Sequence, residues 1–347
     1  MANLADLLMM ARHRFEICHV KAEEKIVILA DPDSDKVMVD AFYSTAVARG
    51  GDPALIICEA GGQRSILGQN HPDYVVDAML KADIVFDLSS IPPWYSDSHA
   101  KLTSGKHARI ALVGGSEAAL IANLRYPPDP VIGQRCMRAQ RMIDGSKTLR
   151  ITSPLGTDLT VERGDIDEYR SLWQGGGVVN RGEYRDVLGG WVALTVPESG
   201  VNGIVYFVGG YDIVRGIQHQ IVDEPVIMEI EKGRLRKISG RDAQAILLDG
   251  WFRSWGDPNS YRFAHINLGL DHRARFYRDP GAYLHCIYGS VLLAFGTNYS
   301  PTLFGMGAKV RAKSHIDMTL VGADLYLDSE LVLHEGEFTV GSGLMAS

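Results

Sequence analysis

Apolar and polar positions follow one rhythm before about residue 145 and another after it. Leu4, Leu7, Leu8, Ala11, Phe15 and Cys18 recur at helical spacing, which predicts an amphipathic first helix ending near Val20. Lys25 to Ala30 is almost entirely apolar, as expected of a strand buried on both faces. Asp31-Pro32-Asp33-Ser34 turns the chain into a helix from about Asp35 to Arg49, and Gly50-Gly51 ends it. Strands over Ala54–Cys58, Ile84–Leu88 and Ala108–Val113 follow, with helices over Tyr74–Lys81 and around His99–Thr103 between them. Strands alternating with helices make βαβ units, so residues 1–145 are expected to form an α/β, Rossmann-like domain with a parallel sheet.

A Pro-rich break at Tyr126-Pro127-Pro128-Asp129-Pro130 and a helix over Ile132–Met142 close this part. Short β-branched runs separated by Gly and Asp then take over: Thr148–Ser153, Asp158–Glu162, Gly190–Thr195, Gly203–Val208, Val226–Glu231 and Gly233–Ile238. Asn202-Gly203 and Lys232-Gly233 read as hairpin signals. One strong helix, Ala243–Phe252, interrupts the series. Residues 146–347 are therefore expected to be a second, β-rich domain of the α+β kind, mostly antiparallel.

At 347 residues, with 46% hydrophobic and 22% charged positions, the chain can build a substantial core. A net charge of −7 argues against a nucleic-acid partner, which would want a basic stripe. No apolar run is long enough to span a membrane, and Met1 to Asp6 lack the features of a leader peptide. Cys18, Cys58, Cys136 and Cys286 are widely spaced, as expected of reduced thiols in a cytoplasmic protein.

Two loops of the first part invite a ligand reading. Gly114-Gly115-Ser116-Glu117 follows a strand, where anions can bind, but no nucleotide-binding glycine pattern is present and a tight turn accounts for it. The loop Ser89–Tyr95 leaves the carboxyl end of a parallel strand, which makes Trp94 and Tyr95 candidate contacts for an aromatic substrate. An ordinary surface loop accounts for them equally well.

The densest chemistry lies in the last third. In a strand, His315-Ile316-Asp317 puts an imidazole and a carboxylate on the same face, because side chains alternate with period two. His265 sits in another strand-like run, Phe263–Gly269. Two imidazoles and one carboxylate with coordination positions left over suit Fe(II), Mn or Zn, and in the facial arrangement suit non-haem Fe(II) oxygenases. The competing reading is that each is satisfied separately by ordinary neighbours, at the cost of burying several polar groups. Most of the eleven histidines read as solvated or structural. His285, in what looks like a strand over Tyr283–Tyr288, is placed to reach a site from outside the ligand set. No nucleophile motif such as GxSxG is present.

The runs Val226–Gly233, Ala264–Arg275, Tyr288-Gly289, Phe295–Asn298, Ser314–Asp317 and Asp324–Asp328, in this order and with these gaps, resemble the C-terminal half of 2,5-dihydroxypyridine 5,6-dioxygenases. Those enzymes share their fold with M29 aminopeptidases. The resemblance implies an N-terminal α/β domain, a β-rich C-terminal domain and a homo-oligomer. It also implies Fe(II) bound by His265, His315 and Asp317, and an extradiol-like opening of a small hydroxylated aromatic ring by O2. Glu168 falls where the family carries an active-site glutamate, and is the candidate acid or base. With Trp94 and Tyr95, Trp191 is a candidate substrate contact.

Two departures bear on the substrate. Ring-cleaving members place one histidine after the third strand, where this chain has Pro93-Trp94-Tyr95 and, nearest, His99. They place another where this chain reads Asp186 to Trp191. The alternative, an M29-type metallo-aminopeptidase, needs further carboxylates to clamp a second ion. Gly190-Trp191-Val192 stands where one of them would be expected.

Overall fold

The computed structural model describes residues 4–58, 70–90, 92–114, 129–177, 179–186, 189–213, 220–241, 243–274 and 284–345. Gly115-Ser116-Glu117, Tyr126 to Pro128, His219 and Arg275 lie outside the described residues. The chain divides into two compact units, residues 1–134 with 174–189, and residues 135–173 with 190–347.

The first unit runs α1 (Leu4–Ile17), β1 (Lys25–Ala30), α2 (Lys36–Ala48), β2 (Asp52–Ile57), α3 (Asp73–Lys81), β3 (Ile84–Asp87), α4 (Asp97–Leu102) and β4 (Arg109–Leu112). Asp35 caps α2 by accepting from the Met38 N–H, satisfying one of the amides a helix start leaves open. The strands form a parallel sheet in the order β2-β1-β3-β4, and alternation sorts their side chains between two cores. Ile26 and Ile28 face Phe15 and Phe42, with Phe15 stacked on Phe86 at 4.4 Å. Val27 and Leu29 face Val75, Met79 and Leu102 on the other side. A fifth strand comes from far along the chain. After the helix α5 (Pro130–Gly145) and the strands β5 (Thr148–Thr152), β6 (Asp158–Glu162) and β7 (Ser171–Gly175), the chain returns as β8 (Tyr184–Asp186) and pairs in parallel with β4.

The second unit is built on antiparallel strands. After β9 (Gly190–Leu194) come β10 (Val201–Ile213), β11 (Gln220–Glu231), β12 (Arg234–Ser239) and the helix α6 (Ala243–Ser254). Then follow β13 (Phe263–Gly269), β14 (Val291–Gly296), the short helix α7 (Pro301–Phe304), β15 (His315–Leu320), β16 (Asp324–Leu327), β17 (Glu330–His334) and β18 (Glu337–Phe338). Among the described residues the sheet order is β18-β17-β16-β5-β6-β10-β15-β14-β13-β9-β7, with β11 and β12 branching from β10.

Two local readings are corrected. Asn202-Gly203 is not a turn but lies inside β10, where its strand pairs with β6 on one side and β11 on the other. Asn202 instead accepts from the Lys232 N–H, bracing the hairpin between β11 and β12. That hairpin is the one expected at Lys232-Gly233, whose φ values of 48° and 64° are those of a primed two-residue turn. The stretch around His285 is not a strand: Leu284–Cys286 is a single 3₁₀ turn.

Candidate metal centre

β13, β14 and β15 lie side by side and are buried along their whole lengths. Their alternation is chemical rather than inside-outside. Ile266 and Leu268 of β13, and Ile316, Met318 and Leu320 of β15, occupy one face, while His265, Asn267, His315, Asp317 and Thr319 occupy the other. In the register, Ala294 of β14 stands directly opposite His265 on one side and Asp317 on the other. Its methyl group leaves room for the two longer side chains to lean across it and meet. His315 pairs with Gly296 one pleat further on. Gly296 has φ of 106°, and a Cβ there would stand 2.1 Å from the Ser314 carbonyl oxygen, so a side chain at that position would push against β15.

The ligand atoms of His265, His315 and Asp317 all lie within 4.8 Å of one another, and all three residues are buried. His265 Nε2 is 3.5 Å and His315 Nε2 is 3.2 Å from Asp317 Oδ1. The imidazoles stack, with ring centroids 5.3 Å apart, and Phe304 lies parallel to the His265 ring at 6.3 Å. His315 Nδ1 donates to the Thr297 carbonyl at 2.8 Å, because a carbonyl can only accept. In the neutral ring Nε2 then carries a lone pair aimed at the carboxylate, which also only accepts. Such a pair repels unless a proton or a metal ion lies between.

The electrostatics fit a cation. Burial, opposed by the Asp317 charge and helped by His315 and His285, lowers the His265 pKa to about 3, so this imidazole stays neutral. For Asp317 burial alone would raise the pKa, but the charges and hydrogen bonds of His315 and His285 outweigh it and hold the carboxyl well below its usual range. A buried carboxylate and two imidazoles, that of His265 held neutral by burial, converging on one point are the donor set of a divalent transition metal.

The other expected site residues fall in different places. Trp191 is buried, its ring 5.7 Å from that of His285. Glu168 is exposed in the turn before Tyr169, and its carbonyl accepts from the Gly307 N–H three residues after Phe304. Trp94 and Tyr95 belong to the first unit. There Trp94 packs against His99 at 4.6 Å and Tyr184 at 5.3 Å, and Tyr95 is buried with a left-handed φ of 61°. His99 itself is fully buried, and burial lowers its pKa to about 3. Sequence reasoning did not find the Thr297 carbonyl, since any residue type could supply it. Asn267, two positions after His265 and so on the same face, was findable by the period of a strand.

The fold is similar to that of solved structures over nearly the whole chain. The structure of 2,5-dihydroxypyridine dioxygenase from Pseudomonas putida KT2440 matches with a TM-score of 0.83 at 21% identity, over 98% of this chain and 99% of that one. Wild-type AmpT from Thermus thermophilus matches with a TM-score of 0.63 at 13% identity, over 97% and 99%. In sequence, the chain is 22% identical to the 2,5-dihydroxypyridine 5,6-dioxygenase of Pseudomonas putida (strain KT2440), over 96% of each protein. A sequence model of the 2,5-dihydroxypyridine 5,6-dioxygenase (NicX) family matches residues 6–340. With that match running through nearly all of its length, the chain belongs to the 2,5-dihydroxypyridine 5,6-dioxygenase family.

Proposed function

We propose that this protein is a non-haem, Fe(II)-dependent dioxygenase that opens the ring of a hydroxylated pyridine or a similar small aromatic, with O2 as co-substrate. The observation that carries this reading is the convergence of His265 Nε2, His315 Nε2 and Asp317 Oδ1 on one buried point. Three protein donors leave positions for further ligands on an ion that accepts six, the arrangement suited to Fe(II) oxygenases. When bound, the ferrous ion would supply the redox and Lewis-acid chemistry that ring opening with O2 requires. The chain's own part is to hold two imidazoles and one carboxylate in fixed register and to keep bulk water from them. The substrate class rests on the names of the family and of the Pseudomonas putida relative.

Around this centre we assign Trp191 as a substrate contact. Its buried indole N–H finds no acceptor among the described residues and is a donor left for a ligand. Glu168 is assigned as the acid or base. After burial, its carboxylate is the next cause raising the pKa of the neighbouring Tyr169 phenol. Trp94 and Tyr95 are proposed as aromatic contacts, Tyr95 on the strength of its left-handed backbone, a conformation an aromatic residue rarely adopts without a use. A Rossmann-like first domain is supported by the strand order β2-β1-β3-β4-β8, which has the 2-1-3-4-5 form of doubly wound sheets. A homo-oligomer working in the cytoplasm completes the proposal. No helix among the described residues is long and apolar enough to cross a membrane.

The test is anaerobic reconstitution with Fe(II), followed by O2-uptake measurements across hydroxypyridines and catechols. Uptake of one O2 per ring opened, with both oxygen atoms recovered in the product, is expected. Absence of uptake with every substrate, together with peptide hydrolysis by the Zn or Co protein, would replace this reading by the M29-type hydrolase.

A further inference from the structure

One histidine near the metal centre has a place in the structure and no role in the reaction as derived above. His285 sits on the 3₁₀ turn Leu284–Cys286, and its Nε2 is 3.1 Å from Asp317 Oδ2. That is the carboxylate oxygen not directed at His265 and His315, both of which face Oδ1. A carboxylate only accepts, so the bond requires the proton on His285 Nε2.

The turn that presents this ring is tied down by the strands that carry the ligands. Asn267, two residues beyond His265 on the same face of β13, donates its side-chain N–H to the His285 carbonyl at 2.9 Å. Thr319, two residues beyond Asp317 on the same face of β15, reaches the Leu284 carbonyl over a longer 3.5 Å. Trp191 of β9 lies against the imidazole at 5.7 Å. Each ligand-bearing strand thus spends its next inward position on the backbone of the turn, and a third strand packs on the ring. Free rotation of Asp317 about its terminal bond would exchange Oδ1 and Oδ2. A fixed N–H on Oδ2 removes that freedom.

We propose that His285 is a positioning residue: by donating to Asp317 Oδ2 it holds the carboxylate so that Oδ1 alone is offered to the metal. This rests on the metal-site reading above and adds to it a residue outside the ligand set. Partners of this kind usually change metal affinity by about 10- to 100-fold when they are removed.

The experiment is a titration of the metal-free full-length protein with Co(II), followed by its visible d–d spectrum and by the bound-metal count. It compares wild type with His285→Phe, which cannot donate, and His285→Gln, whose amide N–H can. Expected are one Co(II) per chain in all three, affinity lowered about 10- to 100-fold in His285→Phe, substantial recovery in His285→Gln, and band positions close to wild type. Equal affinity in wild type and His285→Phe would overturn the inference. So would a change in the number of bound ions or a new band pattern on substitution, which would make His285 a ligand. If His285→Phe does not fold, His285→Gln decides by its band positions and metal count together with Asn267→Ala, which frees the turn and is expected to weaken Co(II) binding in the same direction. A wild-type protein that binds no Co(II) at all overturns the metal-site reading itself, and this inference with it.

Discussion

The Nδ1 of His315 donates to the carbonyl oxygen of Thr297 at 2.8 Å. Thr297 is itself locked, its N–H on the Ser314 carbonyl at 2.9 Å and its hydroxyl on the Val310 carbonyl at 3.1 Å. The imidazole therefore has one tautomer and one orientation, with Nε2 turned to Asp317, before any ion arrives.

Replacing His315 by Ala or Gln should cost the protein its metal with little effect on secondary structure. The loss of Co(II) affinity should exceed the roughly 10- to 100-fold typical of partners that do not touch the ion. Titration monitored alongside far-UV circular dichroism checks both halves. Full metal retention with a normal spectrum would remove His315 from the ligand set.

Ala294 stands between His265 and Asp317 in the cross-strand row and is fully buried. Ala294→Leu should fill the space over which the two side chains meet. Overpacking of this kind costs about 1–3 kcal/mol in stability. The diagnostic effect is loss of metal binding, read by elemental analysis after reconstitution, in a protein that still unfolds cooperatively. Undiminished metal content would show that the row does not close over Ala294.

Acid should weaken the first unit through His99. Burial lowers its pKa from 6.5 to about 3, so below pH 6.5 the unfolded chain takes up a proton that the folded chain refuses. Stability is unaffected above that pH and falls as pH drops from 6.5 toward 3, by about 1.4 kcal/mol per pH unit. Burial, against the charges of Asp87 and Asp31, pushes His71 in the same direction. His99→Phe should reduce the pH dependence of urea unfolding between pH 6 and pH 4 (on the order of one proton), and an unchanged slope would count against a neutral buried His99.

Arg163 is buried and its guanidinium is held by the Asp144 carboxylate at 2.7 Å and by the Tyr169 carbonyl, with Ser171 also donating to Asp144 at 2.7 Å. Asp144→Ala would leave a buried positive charge without its counter-ion, at a cost of about 3–5 kcal/mol. Urea unfolding measures it. A loss below about 1 kcal/mol would mean that the pair behaves as an exposed one.

The grouping of His265, His315 and Asp317 was legible because the strand period alone puts His315 and Asp317 on one face, and because His265 stands in the strand-like run Phe263–Gly269. The existence of the central strands of the first sheet was legible from their mostly apolar runs, Ile26 to Ala30 and Ile84 to Phe86, while several strand ends differed from the expected ones by one or two residues. What the sequence hides is long-range. Nothing in Tyr184-Arg185-Asp186 announces a strand, since three residues carry no period, and its partner β4 lies more than seventy positions earlier. His285 looked like part of a strand because its neighbours are apolar; the bridge between Asp271 and Ile287 and the bonds from Asn267 and Thr319 turn it into a 3₁₀ corner instead.

The late return of β8 to the first sheet has a consequence for biogenesis. A nascent chain that has emerged only as far as α5 still carries β4 with one bare flank, and Tyr184, whose hydroxyl bonds to the buried Asp87, is not yet synthesised. The amino-terminal sheet thus cannot be finished in the order in which it is translated. Shortened versions ending near residue 145 are expected to be sticky rather than folded, through that unpaired flank.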